Sequence, residues 1–141
     1  MSLSEKNLRE KKFHNELQSR PNGRFENIFY KSLFNLSEDF FKSLKSFCSG
    51  ADVLDFGCGT GGCLKKVLEF NPRKITGIDI SEVSIEKAKK SIASLEKNLE
   101  LLVDNCEKTK FEDNKFDVVY GTGILHHLQI SECIYEIRRL L

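Results

Sequence analysis

The chain has 141 residues, with 22 Lys or Arg against 21 Asp or Glu and a formal net charge of +1. That length suits one domain, and 40% hydrophobic with 30% charged residues leaves too much apolar matter for a disordered chain. The charge balance supplies no strong basic face for a phosphate backbone, so no nucleic-acid partner is expected. No stretch approaches the ~20 apolar residues of a membrane helix, and the N-terminus lacks the apolar run of a secretory signal, so no membrane partner is expected and the sequence reads as cytoplasmic. The five cysteines, Cys48, Cys58, Cys63, Cys106 and Cys133, form no CxxC pair. They fit free thiols in a reducing compartment better than a disulfide framework or a zinc site.

In chain order, residues 1–20 read as a mobile, charged helix closed by the turn signal Arg20-Pro21-Asn22-Gly23. Half of the phenylalanines and tyrosines then fall between Phe25 and Phe47, including Phe29, Tyr30, Phe34, Phe40 and Phe41. Ser37 before Glu38-Asp39 resembles the N-cap and acidic first turn of a second helix. These aromatics either pack the helices onto the main body or form a lid over a ligand. Residues 1–49 are therefore read as a helical segment and candidate lid, and residues 50–141 as the ligand-binding domain.

After Gly50 strands and helices alternate. Val53-Leu54-Asp55-Phe56 is an apolar strand, followed by Gly57-Cys58-Gly59-Thr60-Gly61-Gly62 and a helix marked by Leu64, Val67 and Leu68 that Asn71-Pro72 ends. Residues 75–80 make a second strand, and Ser81 is a good N-cap for a helix marked by Val83, Ile85, Ala88, Ile92 and Leu95. Residues 99–103 and 116–120 make the third and fourth strands. Residues 131–141 carry the spacing of an amphipathic helix. Such alternation implies an α/β fold, a parallel Rossmann-like sheet flanked by helices.

In such a sheet ligands bind beyond the carboxyl ends of the strands. Asp55 to Gly61, Asp79, Asp104-Asn105 and Gly121 all fall there. The pattern Gly57-x-Gly59-x-x-Gly62, with Asp79 close to the ~20-residue offset of a ribose-binding acid, satisfies the dinucleotide fingerprint. A pyrophosphate would face Asp55, however, and like charges ~4 Å apart repel by about 4 kcal/mol at an effective dielectric of 20. A cationic ligand is favoured instead. S-adenosylmethionine carries an ammonium and a sulfonium, with a ribose diol for Asp79 and an adenine for the third strand.

Asp55-Phe56-Gly57-Cys58-Gly59-Thr60-Gly61 resembles the first motif of class I S-adenosylmethionine-dependent methyltransferases. Gly77-Ile78-Asp79-Ile80-Ser81 resembles the second, and Phe116-Asp117-Val118-Val119-Tyr120-Gly121-Thr122-Gly123-Ile124-Leu125-His126-His127-Leu128 resembles the fourth-strand motif of the small-molecule, type 11-like branch. The resemblance runs from about Phe40 to Leu141, with a looser echo in Phe13-His14-Asn15. By position it implies that Asp55, Gly57, Cys58 and Gly59 hold the methionine moiety, Asp79 the ribose and Ile80 the adenine, with Gly121 at the end of strand four. Asn105 falls where the family usually has its adenine-contacting acid, Cys106 replaces a common Ala, and Asp104 is the alternative to Asn105.

The resemblance implies transfer of a methyl group from S-adenosylmethionine to a small-molecule acceptor, with alternatives in a nicotinamide-dinucleotide oxidoreductase or a non-catalytic S-adenosylmethionine-binding fragment. His126 and His127, which follow strand four, are the candidates for a catalytic base. Tyr30 and His14 are further candidates to touch cofactor or acceptor. The family's sheet has the order 3-2-1-4-5-7-6. This sequence supplies strands one to four, and Leu141 falls inside a helix without a stop signal. The chain therefore reads as truncated after strand four, with an exposed strand-four edge or terminal helix through which it would form a homodimer.

Overall fold

A computed structural model describes residues 3–19, 34–92 and 98–141. Its helices are α1 (Glu5–Ser19), α2 (Phe34–Cys48), α3 (Gly62–Leu68), α4 (Glu82–Ile92) and α5 (Ile130–Leu140). Its strands are β1 (Asp52–Phe56), β2 (Lys74–Asp79), β3 (Leu99–Val103) and β4 (Val118–Tyr120), with a single 3₁₀ turn at Leu125–His127. The strands pair in the order β3-β2-β1-β4, every pair parallel. The chain steps outward from β1 to β3 and then returns to the other side of β1. Strand order thus reverses between β1 and β4, where an open α/β sheet forms its binding crevice.

Both faces of the sheet are covered, which is why β1 is apolar along most of its length rather than alternating. On one face Val53, Ile75 and Leu101 pack with Leu64 and Val67 of α3, Ile85, Ala88 and Ile92 of α4, and Leu44 and Cys48 of α2. On the other, Leu54, Phe56 and Ile78 pack with Phe116 and with Cys133 and Leu140 of α5. The period-two geometry of a strand divides Val53 and Asp55 from Leu54 and Phe56 in this way. Asp55 therefore shares a face, and a row across the sheet, with Gly77 and Tyr120.

Strand and helix positions follow the sequence pattern with two exceptions. Helix α2 begins at Phe34, so Ser37 lies inside it rather than capping it. Strand β4 begins at Val118, so Phe116 precedes it rather than opening it. Helix α1 lies against the body, where Asn7 is 4% exposed and donates to Glu107 Oε2 at 2.9 Å, and Lys11 pairs with Glu82. The Ser81 cap forms as its residue type predicts, with Ser81 Oγ accepting from the Ser84 N–H at 3.1 Å. The turn at 20–23, Phe25, Phe29, Tyr30 and Leu95 lie outside the described residues.

The loop before β4 is fastened to α5 by one buried carboxylate. Glu136 accepts from the Thr109 N–H at 2.8 Å and the Thr109 hydroxyl at 2.6 Å, while Arg139 pairs with it at 2.6 Å and reaches the Phe111 carbonyl and Asp113 at 2.7 Å each. Burial pushes the Glu136 carboxyl up, but hydrogen bonds from Arg139 and Thr109 outweigh it and hold the group below the usual range. Glu136→Ala would strand the Thr109 N–H without its acceptor. It is expected to lower unfolding free energy by about 2–4 kcal/mol in urea titration, and Glu136→Gln by less, because the amide keeps an acceptor for Thr109.

Candidate functional site

The turn after β1 is built against the end of β2. The Gly57 and Cys58 N–H groups both donate to the Ile78 carbonyl, at 3.0 and 2.8 Å. The Gly59 N–H donates to Asp79 Oδ2 at 2.9 Å, and the Ser81 N–H donates to Asp79 Oδ1 at 2.8 Å. One carboxylate thus ties the glycine turn to the start of α4. Gly59 has a φ of +53°, and a Cβ built on it would meet nothing within 4 Å, so its backbone fronts open space. Gly121 approaches from the far side of β1, where a Cβ would come within 2.6 Å of the Phe56 carbonyl oxygen.

Asp55 lies behind this turn, 1% exposed, and accepts from the Tyr120 hydroxyl at 2.9 Å. Loss of hydration pushes its carboxyl up to about 7, the Tyr120 hydrogen bond opposes the rise, and nearby Asp79 adds to it. The same burial, with the Asp55 charge beside it, pushes the Tyr120 phenol well above its ordinary range. Cys58 is buried in the turn, and desolvation followed by the charges of Asp55 and Asp79 drives its thiol far up. Sequence reasoning missed Tyr120 as a site residue. Its signal was available only through the parallel register that sets Tyr120 beside Asp55.

Ile80 follows β2, half-buried. Beyond β3 the two neighbouring candidates behave differently. Asp104 spends its oxygens on its own loop, accepting from the Asn105 N–H at 2.9 Å and the Lys110 N–H at 3.1 Å. Asn105 accepts from the Glu107 N–H at 3.0 Å and donates to Asn7 of α1 at 3.4 Å. Cys106 is buried among Leu54, Phe56 and Ile78, and burial pushes its thiol well above the usual range.

Helix α1 spans the same end of the sheet. Beyond its bonds to the β3 loop, Asn15 pairs with Ser81 Oγ and Glu82 after β2, and Glu10 Oε2 lies 3.0 Å from Nδ1 of His127 after β4. Side chains from the loops after β2, β3 and β4 therefore meet α1. The structure separates the two histidines of the 3₁₀ turn, with His126 exposed and His127 turned toward α1, their rings 3.9 Å apart. The His14 ring stands edge-on to His127 at 4.7 Å.

A glycine turn and an acid at the carboxyl ends of adjacent strands, beside the reversal of strand order, are features of a Rossmann-like α/β fold. Residues 53–141 match the family described as methyltransferase domain, and the chain belongs to that family. It is 35% identical over 95 residues to a sterol 24-C-methyltransferase of Gibberella zeae, a match covering 65% of this chain and 25% of that protein. It is 29% identical over 133 residues to phosphoethanolamine N-methyltransferase 3 of Arabidopsis thaliana, covering 89% of this chain and 27% of that protein. The solved structure of a Haemonchus contortus phosphoethanolamine N-methyltransferase, in complex with phosphoethanolamine and S-adenosylhomocysteine, shares its fold with a TM-score of 0.79 at 21% identity. That match covers 100% of this chain and 31% of the other. The chain spans about a quarter of the length of the curated relatives it matches.

The raised Asp55 group gives a signed stability prediction. The folded state binds this proton more tightly than the unfolded state, so the associated stability is full below the unfolded value of 3.8 and is lost as pH rises toward about 7. Asp55→Asn removes that dependence. The unfolding free energy of the unaltered chain minus that of Asp55→Asn is expected to fall by about 2 kcal/mol between pH 5 and 7 and then to level off. Urea titrations of both proteins across that range measure it, and a flat difference would mean that Asp55 does not titrate there.

Proposed function

We propose that this chain binds S-adenosylmethionine as the methyl donor of a methyltransferase acting on a small-molecule acceptor. The observation that carries the reading is the placement of two carboxylates, Asp55 and Asp79, around the glycine turn, beside the open space at Gly59. A ligand with a cationic methionine end and a ribose diol fits that charge pattern. A pyrophosphate fits it less well, since its charge would lie on the Asp55 side of the turn. Membership of the methyltransferase-domain family and relatives named as sterol and phosphoethanolamine methyltransferases support the same reading.

In this reading Asp79 accepts from the ribose hydroxyls. Ile80 packs on the adenine, and Asn105 receives the adenine amino group in preference to Asp104, whose oxygens serve its own loop. The Gly57-Cys58-Gly59 backbone lines the methionine end, with Asp55 behind it supplying negative charge. Buried Cys106 contributes through its backbone, and Gly121 lets β4 approach the turn closely. When bound, S-adenosylmethionine supplies a methyl carbon activated by the sulfonium, so the protein's part is alignment and exclusion of water. Where an acceptor must lose a proton, the candidates are His126 and His127. Residues 1–49 act as the lid and residues 50–141 as the cofactor-binding unit, a division supported by α1 meeting the loops after β2, β3 and β4.

Calorimetry with S-adenosylhomocysteine tests the reading. Binding is expected, with a loss of about tenfold to a hundredfold in Asp79→Ala, which removes charge-assisted hydrogen bonds to the diol. Binding of NADH with no response to S-adenosylhomocysteine would overturn it.

We further place the protein in the cytoplasm, a reading supported by its free thiols. Among the described residues no helix is long and apolar enough to cross a membrane. We also propose a homodimer through the β4 edge or α5, supported by β4 pairing with β1 alone among the described strands and by exposed Ile130, Ile134 and Tyr135 on α5. Light scattering is expected to report twice the chain mass, and a monomer at high concentration would count against it.

A further inference from the structure

Three side chains outside the cofactor contacts proposed above, among them the candidate base His127, converge where α1 crosses the turn after β4. One ligand atom from each of Glu10, His14 and His127 lies within 4.8 Å of the other two. Glu10 Oε2 is the shared centre, 3.0 Å from His127 Nδ1 and 3.7 Å from His14 Nε2. Glu10 and His14 are one helical turn apart on α1, a spacing that sets both on one face of a helix before any ligand arrives. His127 comes from a separate element. The side chains are 29%, 15% and 16% exposed respectively, sheltered from bulk water and still open to a small ion.

We propose that Glu10, His14 and His127 bind a divalent transition-metal cation of the zinc type, which clamps α1 to the end of the sheet. Two imidazoles and one carboxylate are a recurring donor set for such ions, and neutral imidazole suits zinc, iron, copper and nickel more than magnesium or calcium. Bonds of about 2.0–2.1 Å place neighbouring ligand atoms of a tetrahedral ion roughly 3.3 Å apart. The Glu10 contacts bracket that separation, and side-chain rotation closes the remaining span between the imidazoles. Three protein ligands leave a coordination position for water or for an oxygen or nitrogen of a second ligand, as in catalytic rather than structural zinc sites. In that state His127 is a ligand and not a proton acceptor. The site stands apart from the methyl-donor reading, because its occupancy is measured with no nucleotide present.

The test is titration of the chelator-treated chain with Zn²⁺ by calorimetry and with Co²⁺ by visible absorption. One ion per chain is expected, with Co²⁺ ligand-field bands and no thiolate charge-transfer band. Glu10→Gln, His14→Gln and His127→Gln, each with an unchanged far-ultraviolet circular dichroism spectrum, are each expected to weaken binding at least about tenfold. Zn²⁺ is also expected to slow proteolytic cleavage within α1 in the unaltered chain and not in the variants. Failure of the unaltered chain to bind Zn²⁺, equal affinity in all three variants, or a thiolate band that assigns the ion to cysteines would each overturn the proposal.

Discussion

The carboxylate of Asp79 holds the functional end of this molecule in shape. It stands at the end of β2, yet its oxygens receive the N–H of Gly59 from the turn after β1 and the N–H of Ser81 at the start of α4. A strand ladder fixes neighbouring strands only as far as their last paired residues. Beyond that point the glycine turn has no sheet to obey, and Asp79 takes over, together with the Ile78 carbonyl that receives Gly57 and Cys58. The open space in front of Gly59 is a consequence of that fastening, since the same glycines without a shared acceptor would be free to collapse into it.

The second consequence is electrostatic. Asp79 keeps a carboxylate near Asp55, which already lacks hydration, and its charge makes ionisation of Asp55 harder still. Asp55 near neutral pH is therefore divided between its acid and its anion, with the Tyr120 hydroxyl favouring the anion. A cation brought close to Asp55 would favour its anion, so binding of such a ligand and loss of the Asp55 proton would be coupled. Cys58 is held as a thiol by its burial first and by the charges of Asp55 and Asp79 second, which makes it a poor nucleophile.

The sheet was legible in the sequence because its signals are local. Val53 to Phe56 and Ile75 to Asp79 are apolar runs between turn residues, α4 has its Ser81 cap, and α5 has its helical spacing. The residues at strand ends followed from topology alone. Helix α2 departed from this, because the Ser37-Glu38-Asp39 capping signal lies inside a helix that starts at Phe34. Two other features had no local signal. The Tyr120–Asp55 hydrogen bond depends on the register between strands far apart in the chain. The docking of α1 depends on Asn7, Glu10 and Asn15, polar residues whose partners lie in three separate loops and which show no apolar periodicity to betray a buried face.

Helix α1 is held down without oil. Among the described residues neither apolar cluster includes a residue of α1, and Leu8 and Phe13 are exposed. Its fastenings include Asn7 to Glu107 and Asn105, Lys11 and Asn15 to Glu82, Asn15 to Ser81, Lys87 to the Gln18 carbonyl, and Glu10 and the His14 ring to His127. Water competes for polar partners of this kind, so each such contact adds only modestly to stability. Polar contacts of that kind loosen as ionic strength rises, while the apolar packing of the sheet beneath them is little affected.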